Sequence, residues 1–280
     1  MNINILKVAF CSVLFAVACT EPIDVTLHEG ANNALVVEGV ITNETKQHYV
    51  RLSRTTSYFY NQKAPAELGA TVTITDGNET FILTDDDNDG VYLTEPDVAG
   101  IPGHTYTLNI ELANGDTYSA TDRMPIANYI DSLYYEYGTK LFGVEMKEYM
   151  YTIYCNITEV PNQFDGYQFY FYFNDSLYNE PIKKWILGSD GVYDGKNHAD
   201  GVFLYYYEAD SLPSKPLLTV DLLTVSEDYY NFISELTSET VANMTILEGP
   251  PANIRTNISN GAVGFFSAKA KTTASLKLNE

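Results

Sequence analysis

Three groups of side chains have the types and spacing that chemistry requires. The first is DDDNDG, residues 85–90 inside FILTDDDNDGVYLT. Asp85, Asp87 and Asp89 followed by Gly90 reproduce the first half of a calcium loop, which needs oxygen ligands at positions 1, 3 and 5 and a glycine at 6. The second half is missing, because position 12, where a bidentate glutamate belongs, is Pro96 and neither flank has helical spacing. FILT and VYLT are strand-like, so the hexapeptide reads as the tip of a hairpin in which Asn88 or Gly90 takes the left-handed conformation. Weak adventitious calcium is its only metal chemistry, and no cofactor is expected.

The second group is His198 with Asp190, Asp194 and Asp200, all in the loop GSDGVYDGKNHADG. An imidazole beside carboxylate oxygens could ligate a metal and serve a surface metal-dependent hydrolase, although aspartates in such a loop are ordinarily solvated turn formers. His28, His48 and His104 have no acidic cluster suited to a triad or a metal. No G-x-S-x-G, H-E-x-x-H or G-x-x-x-x-G-K-[ST] occurs, so the expectation is a protein that is not an enzyme.

The third group is the cysteines. The chain starts MNINILKVAFCSVLFAVAC: one lysine, an apolar run from Val8 to Ala18, then small residues leading into Cys19. That is a secretory signal over residues 1–18, and AVAC has the form of a lipobox, which makes Cys19 the acylated first residue of a mature lipoprotein. Each buried acyl methylene contributes roughly 0.8 kcal/mol, so the two or three chains of a bacterial lipoprotein anchor stably in a bilayer. Cys11 leaves with the signal, and only Cys155 remains for the folded body, too few for an internal disulfide. It lies in MYTIYCNIT, a strand-like setting where it reads as a small buried hydrophobe rather than a nucleophile.

Elements able to hold such residues follow from composition and period. With 37 acidic against 16 basic residues and a net charge of −21, the surface repels nucleic acid and anionic headgroups, so no nucleic-acid partner is expected. The 23 tyrosines and 13 phenylalanines favour strands, and their faces invite a carbohydrate-binding reading. Residues 19–33 are polar and aperiodic, a tether. From Leu35 come seven short runs, LVVEGVIT, HYVRLSRT, ATVTIT, TFILT, VYLT, TYTLNIEL and DTYSAT, separated by turn signals such as Asp76-Gly77 and Asn114-Gly115. The Asn-Gly pair suits a type I′ turn. This pattern predicts a β-sandwich over 34–125.

A second set, IDSLYYEYG, MYTIYCNIT, YQFYFYFND, VFLYYYEA and LLTVDLLTV, predicts a β-rich domain over 126–280. One short helix interrupts it, capped by Ser226, with Glu227 and Asp228 in its first turn and Tyr229, Phe232, Ile233 and Leu236 at helical spacing. The tail GPPANIRTNISNGAVGFFSAKA reads as an extended segment, a turn at Asn260-Gly261 and a closing strand. The fold class is thus mainly β, two Ig-like β-sandwich domains with one short helix in the second.

Taken in order, Cys19 with TEPIDV, then LVVEGVIT, YVRLSRT, GATVTIT, GVYLT, PGHTYTL, IDSL, VSEDYYNFISEL and NIRTNISNGAVGFFSA resemble the Bacteroidota-type outer-membrane lipoproteins grouped as domain of unknown function 4249. The resemblance runs from the lipobox to about Ala268 and brings no catalytic residues with it. It implies an outer-membrane location, lipid-anchored, and a non-catalytic binding or accessory role beside a TonB-dependent β-barrel transporter in nutrient uptake. A carbohydrate-binding lipoprotein independent of a transporter is the alternative. The same resemblance makes the three Asp-Ser-Leu tripeptides candidate O-glycosylation sites, with Ser132, Ser176 and Ser211 as acceptors, although Asp-Ser is also ordinary turn chemistry. Cys19→Ser is expected to abolish palmitate labelling and leave precursor or soluble protein; a variant that still labels and fractionates with outer membrane removes the lipobox reading.

Overall fold

A computed structural model describes residues 33–56, 64–164, 166–179, 184–189, 202–242 and 254–279. All the strand-like runs form strands. They are β1 Leu35–Thr42, β2 Tyr49–Arg54, β3 Thr71–Thr75, β4 Thr80–Leu83, β5 Val91–Leu93, β6 Thr105–Glu111 and β7 Thr117–Arg123, followed by β8 Tyr129–Leu141, β9 Val144–Thr158 and β10 Gly166–Phe173. Two short additions, β11 Ser176–Leu177 and β12 Ile186–Ser189, precede β13 Val202–Glu208 and β14 Leu217–Val225. Helix α1 covers Glu227–Ala242, and β15, Val263–Lys277, closes the chain.

Two cores follow from alternation within these strands. A sheet ordered β4-β3-β6-β7 packs Val72, Ile74, Leu108 and Ile110 against Val37, Ile41, Val50 and Leu52 of β1 and β2. A sheet ordered β13-β9-β8 packs Ile153, Cys155 and Leu204 against Phe169, Phe171, Val220 and Leu222 of β10 and β14. Backing both is a single eight-stranded sheet, β11-β10-β14-β15-β1-β2-β5, with β12 also on β10. This sheet runs across residue 125, and residues 33–280 form one compact unit.

The closing strand makes that continuity. β15 pairs antiparallel with β14 over Leu217↔Lys277 to Thr224↔Ala270, and its first half pairs parallel with β1 over Val36↔Val263 to Thr42↔Lys269. Phe266, Ala268 and Ala270 lie in the first core, while Leu278, just past its end, lies in the second. The segment before it is held by side chains. Asn257 accepts the Phe266 N–H at 3.0 Å and donates to the Phe266 carbonyl at 2.8 Å, Asn260 donates to the Thr117 carbonyl at 2.7 Å, and the Ser259 N–H donates to the Ser119 carbonyl at 2.8 Å. Both Asn260 and Gly261 have positive φ, as the turn reading requires.

Two turn readings need correction. DDDNDG does not cap a regular hairpin: β4 pairs with β3 and β5 with β2, so the loop turns a corner between two sheets, and only a Thr84↔Leu93 bridge joins its flanks. Short strands whose apolar faces serve the same core from opposite layers must part, and alternation alone carries no sign of it. At Asn114-Gly115 only the glycine has positive φ, and the Gly115 N–H donates to the Leu112 carbonyl. That is a type I turn with a left-handed residue after it, not type I′.

Gly264 marks where backbone approaches closest. Its φ is +102°, and a Cβ there would stand 2.0 Å from the Val37 carbonyl oxygen, the residue opposite it in the parallel ladder. Gly143, at the β8–β9 turn, has φ +81° but open space around it. In urea unfolding, Gly264→Ala is expected to cost about 3 kcal/mol or more and Gly143→Ala about 1 kcal/mol. Equal losses would remove close approach as the cause.

Candidate functional site

The face of the eight-stranded sheet turned away from both cores carries the other half of each alternation. Glu38 and Val40 of β1, Phe265, Ser267 and Lys269 of β15, and Gln168, Tyr170 and Tyr172 of β10 lie on it. Over one end of that face lies α1. The Ser226 side chain accepts the Tyr229 N–H at 3.2 Å as its N-cap, and Glu227 and Asp228 favour the positive end of the helix dipole. Tyr229, Phe232, Ile233 and Leu236 recur on one stripe and pack on Leu223, Val225 and Phe265. What the helix leaves uncovered is a groove of about 630 Å³, walled by Tyr170, Tyr172, Trp185, Phe232 and Phe265, with Glu38 and Tyr49 also lining it.

Lys269 lines this groove with only 6 % of its surface exposed. Its Nζ donates to the Tyr229 hydroxyl at 2.6 Å and to Gln168 Oε1 at 3.3 Å, and it lies 4.0 Å from the centre of the Tyr229 ring, a cation–π contact. No carboxylate among the described residues forms an ion pair with it, and Gln168 Nε2, buried beside it, has no hydrogen-bond acceptor there. Burial pushes the ammonium down to about 7, against the more distant pull of Asp122 and Glu38, with Lys46 adding to the drop. The Tyr229 hydroxyl is pushed well up by burial. On β7, Asp122 is itself raised to about 6 by burial, although it accepts the Ala268 N–H at 2.8 Å. At the mouth, Tyr49 donates to Glu38 at 2.7 Å.

The residues singled out by spacing lie elsewhere. Asp85, Asp87 and Asp89 do not converge: Asp85 spends both oxygens on the N–H groups of Asp89 and Gly90, and Asp89 accepts the Val91 N–H. Among the described residues no three or more His, Cys, Asp or Glu side chains are grouped to hold a metal. Asn88 and Gly90 both have positive φ, and a Cβ on Gly90 would meet the Leu52 carbonyl at 2.6 Å. Cys19, His28, Asp190, Asp194, His198 and Asp200 lie outside the described residues. Cys155 is fully buried, and burial pushes its thiol up to about 12, away from any nucleophilic role.

His48 is buried between the Thr42 N–H and the Val98 carbonyl, and its pKa is lowered by burial. His104 pairs with Asp76 at 2.9 Å. Ser132, Ser176 and Ser211 are all exposed; Ser132 accepts from Asn156 and Ser211 donates to the Glu208 carbonyl. Exposed tyrosines on the three-stranded sheet stack on one another in pairs, Tyr137 on Tyr149 and Tyr205 on Tyr206, rather than as an open row.

Lys269, Gln168, Glu38 and Trp185 were not singled out by spacing. A signal for two of them exists: Gln168 is the one polar residue in YQFYFYF, and Lys269 stands between two alanines in step with Phe265 and Ser267. Polar residues in a buried alternation need a reason.

Fold and groove define a mainly β scaffold of one curled and two smaller sheets, with a single α-helix among the described residues laid over an open sheet face. The chain belongs to the family described as Domain of unknown function (DUF4249), whose model matches residues 20–275, so the resemblance read from its motifs holds over nearly the whole chain. No curated protein resembles the chain closely enough to count as a match. No helix among the described residues is long and apolar enough to cross a membrane.

Burying an ammonium sets a testable pH dependence. Below about pH 7 Lys269 is charged folded and unfolded, and its full desolvation cost opposes folding. Between 7 and its unfolded value the folded chain sheds the proton first, so the native state gains as pH rises. Lys269→Met is expected to be as stable as wild type or more so near pH 6, and that advantage to shrink by about 1–3 kcal/mol by pH 9. Thermal or urea unfolding at both pH values checks this; a pH-independent difference means that the amine is not titrating in this window.

Proposed function

We propose that this protein is an outer-membrane lipoprotein, anchored through acylated Cys19, whose body is a non-catalytic binding or accessory subunit of a TonB-dependent β-barrel transporter in nutrient uptake. The observation that carries the reading is the groove. Aromatic walls around a single fixed amine suit holding a ligand, and a concave, mostly apolar site with few convergent polar groups is the usual form of a small-molecule site. The AVAC lipobox and family membership support the anchor and the setting. In the same reading the two cores are two Ig-like sandwiches sharing β15, and the lipid, not the acidic surface, holds the protein to the membrane.

Pull-down of the full chain from mildly solubilised membranes, combined with metal analysis, tests this. A stoichiometric β-barrel partner with negligible bound metal is expected. Recovery of the protein alone, with one equivalent of zinc or calcium lost in His198→Ala, overturns it in favour of a surface metal-dependent hydrolase.

A further inference from the structure

The groove carries more than the shape of a binding site. An ammonium with two neutral acceptors has a third N–H to place, and its charge has no anionic partner among the described residues. Gln168 is fully buried and does not line the groove; its Oε1 accepts from the ammonium at 3.3 Å and helps fix its position. The reverse amide orientation would set an NH₂ against the ammonium and is disfavoured. A fixed ammonium with an N–H still to place suits a carboxylate oxygen through a charge-assisted hydrogen bond. Polyanions are disfavoured: Glu38 lines the same groove, and the protein as a whole carries a net charge of −21. Beyond the ammonium the walls are aromatic, with Tyr170, Tyr172, Trp185, Phe232 and Phe265 presenting rings to whatever carries the carboxylate.

We infer that the groove between α1 and the open sheet face binds a small monocarboxylate with an aromatic body, its carboxylate held by Lys269 Nζ and its ring by the aromatic walls. The inference rests on the reading of this protein as a binding subunit and names the ligand class of that same site. Lys269 also explains why such a ligand would bind better at mildly acidic pH: the lysine must be charged, and it is pushed down to about 7 when the site holds no anion. Tyr229, Tyr49, Tyr170, Glu38, Asp122 and Lys46 are the other titratable groups around it; the tyrosines are raised out of the range, Asp122, raised to about 6, takes on charge as pH climbs toward neutrality, and Lys46 acts on it as a like charge.

The probe is 2-naphthoate, with the uncharged 2-naphthalenemethanol as control, titrated into the full chain in detergent and followed by calorimetry. Trp185, the chain's one tryptophan, lines the groove and reports occupancy by quenching of its emission. Saturable binding of naphthoate with Trp185 quenching is expected, weakening about ten-fold or more between pH 6 and pH 9. Lys269→Met is expected to lower naphthoate affinity about ten-fold or more and to leave the alcohol nearly unchanged. Gln168→Leu, which keeps the lysine, is expected to weaken naphthoate by a smaller factor and serves if the lysine variant does not fold. No saturable binding up to about 5 mM, or equal loss for acid and alcohol, overturns the inference. Recovery of a β-barrel partner by a chain that ignores naphthoate overturns the ligand class alone, whereas naphthoate binding by a chain recovered without a barrel keeps the ligand class and removes the transporter.

Discussion

Parallel pairing of the first described strand with the last is the constraint on which the rest depends. A parallel ladder cannot be closed by a short turn, so β1 and β15 meet only after everything between them has been placed. Once they meet, the strand is committed on every side: β1 and β14 along its edges, the first core under Phe266, Ala268 and Ala270, and α1 over Phe265. The close approach at Gly264 is the local expression of this. With no Cβ, the backbone of β15 fits against the Val37 carbonyl at a φ that other residues rarely take. A fold closed by its chain ends also has high contact order and is expected to fold slowly for its size.

The same strand divides polar from apolar work by its alternation. Its core-facing residues are small or aromatic and fill space; its other face carries Ser267, Lys269 and Lys271. Lys271 is neutralised directly, bonded at 2.7 Å to both Glu44 and Asp221, and Asp221 is further fixed by Thr273. Two residues earlier, Lys269 has a phenol, an amide and a ring instead of a carboxylate. The contrast within one strand is informative, because an unpaired buried ammonium costs stability that a paired one largely recovers. A protein that retains the unpaired one has either a structural use for it, pinning Tyr229 and with it α1, or a ligand to complete it. The two uses are compatible, since a hydroxyl and an amide oxygen occupy only part of the ammonium's donor capacity.

Helix α1 decides how much of the sheet face stays open. Its own stabilisation is ordinary: a serine cap, acidic residues in the first turn, and an apolar stripe on Leu223, Val225 and Phe265. An ion pair from Glu235 to Arg255 ties its exposed side to the segment leading into β15, where solvent screening keeps the electrostatic gain small. The helix lies over Leu223, Val225 and Phe265, with Tyr170 and Trp185 packed against the same cluster, and the groove is what remains open beside it.

Much of this was legible from the residues in order. Period-two runs located the long strands because a half-buried strand must alternate, Ser226 and the Tyr229–Leu236 stripe located the helix because capping and helical period are local, and motif order identified the family. Cys155 read correctly as buried because a thiol inside a β-branched and aromatic run has nowhere else to be. What alternation does not contain is partnership. That β4 and β5 part into different sheets, that β15 pairs with β1 as well as with its sequence neighbour β14, and that Gln168, Lys269 and Tyr229, separated by up to 101 residues, share one buried network are decided only when strands choose edges. Edge choice is a competition among many nearly equivalent ladders, settled by which arrangement buries both faces at once, and that sum exists only in three dimensions.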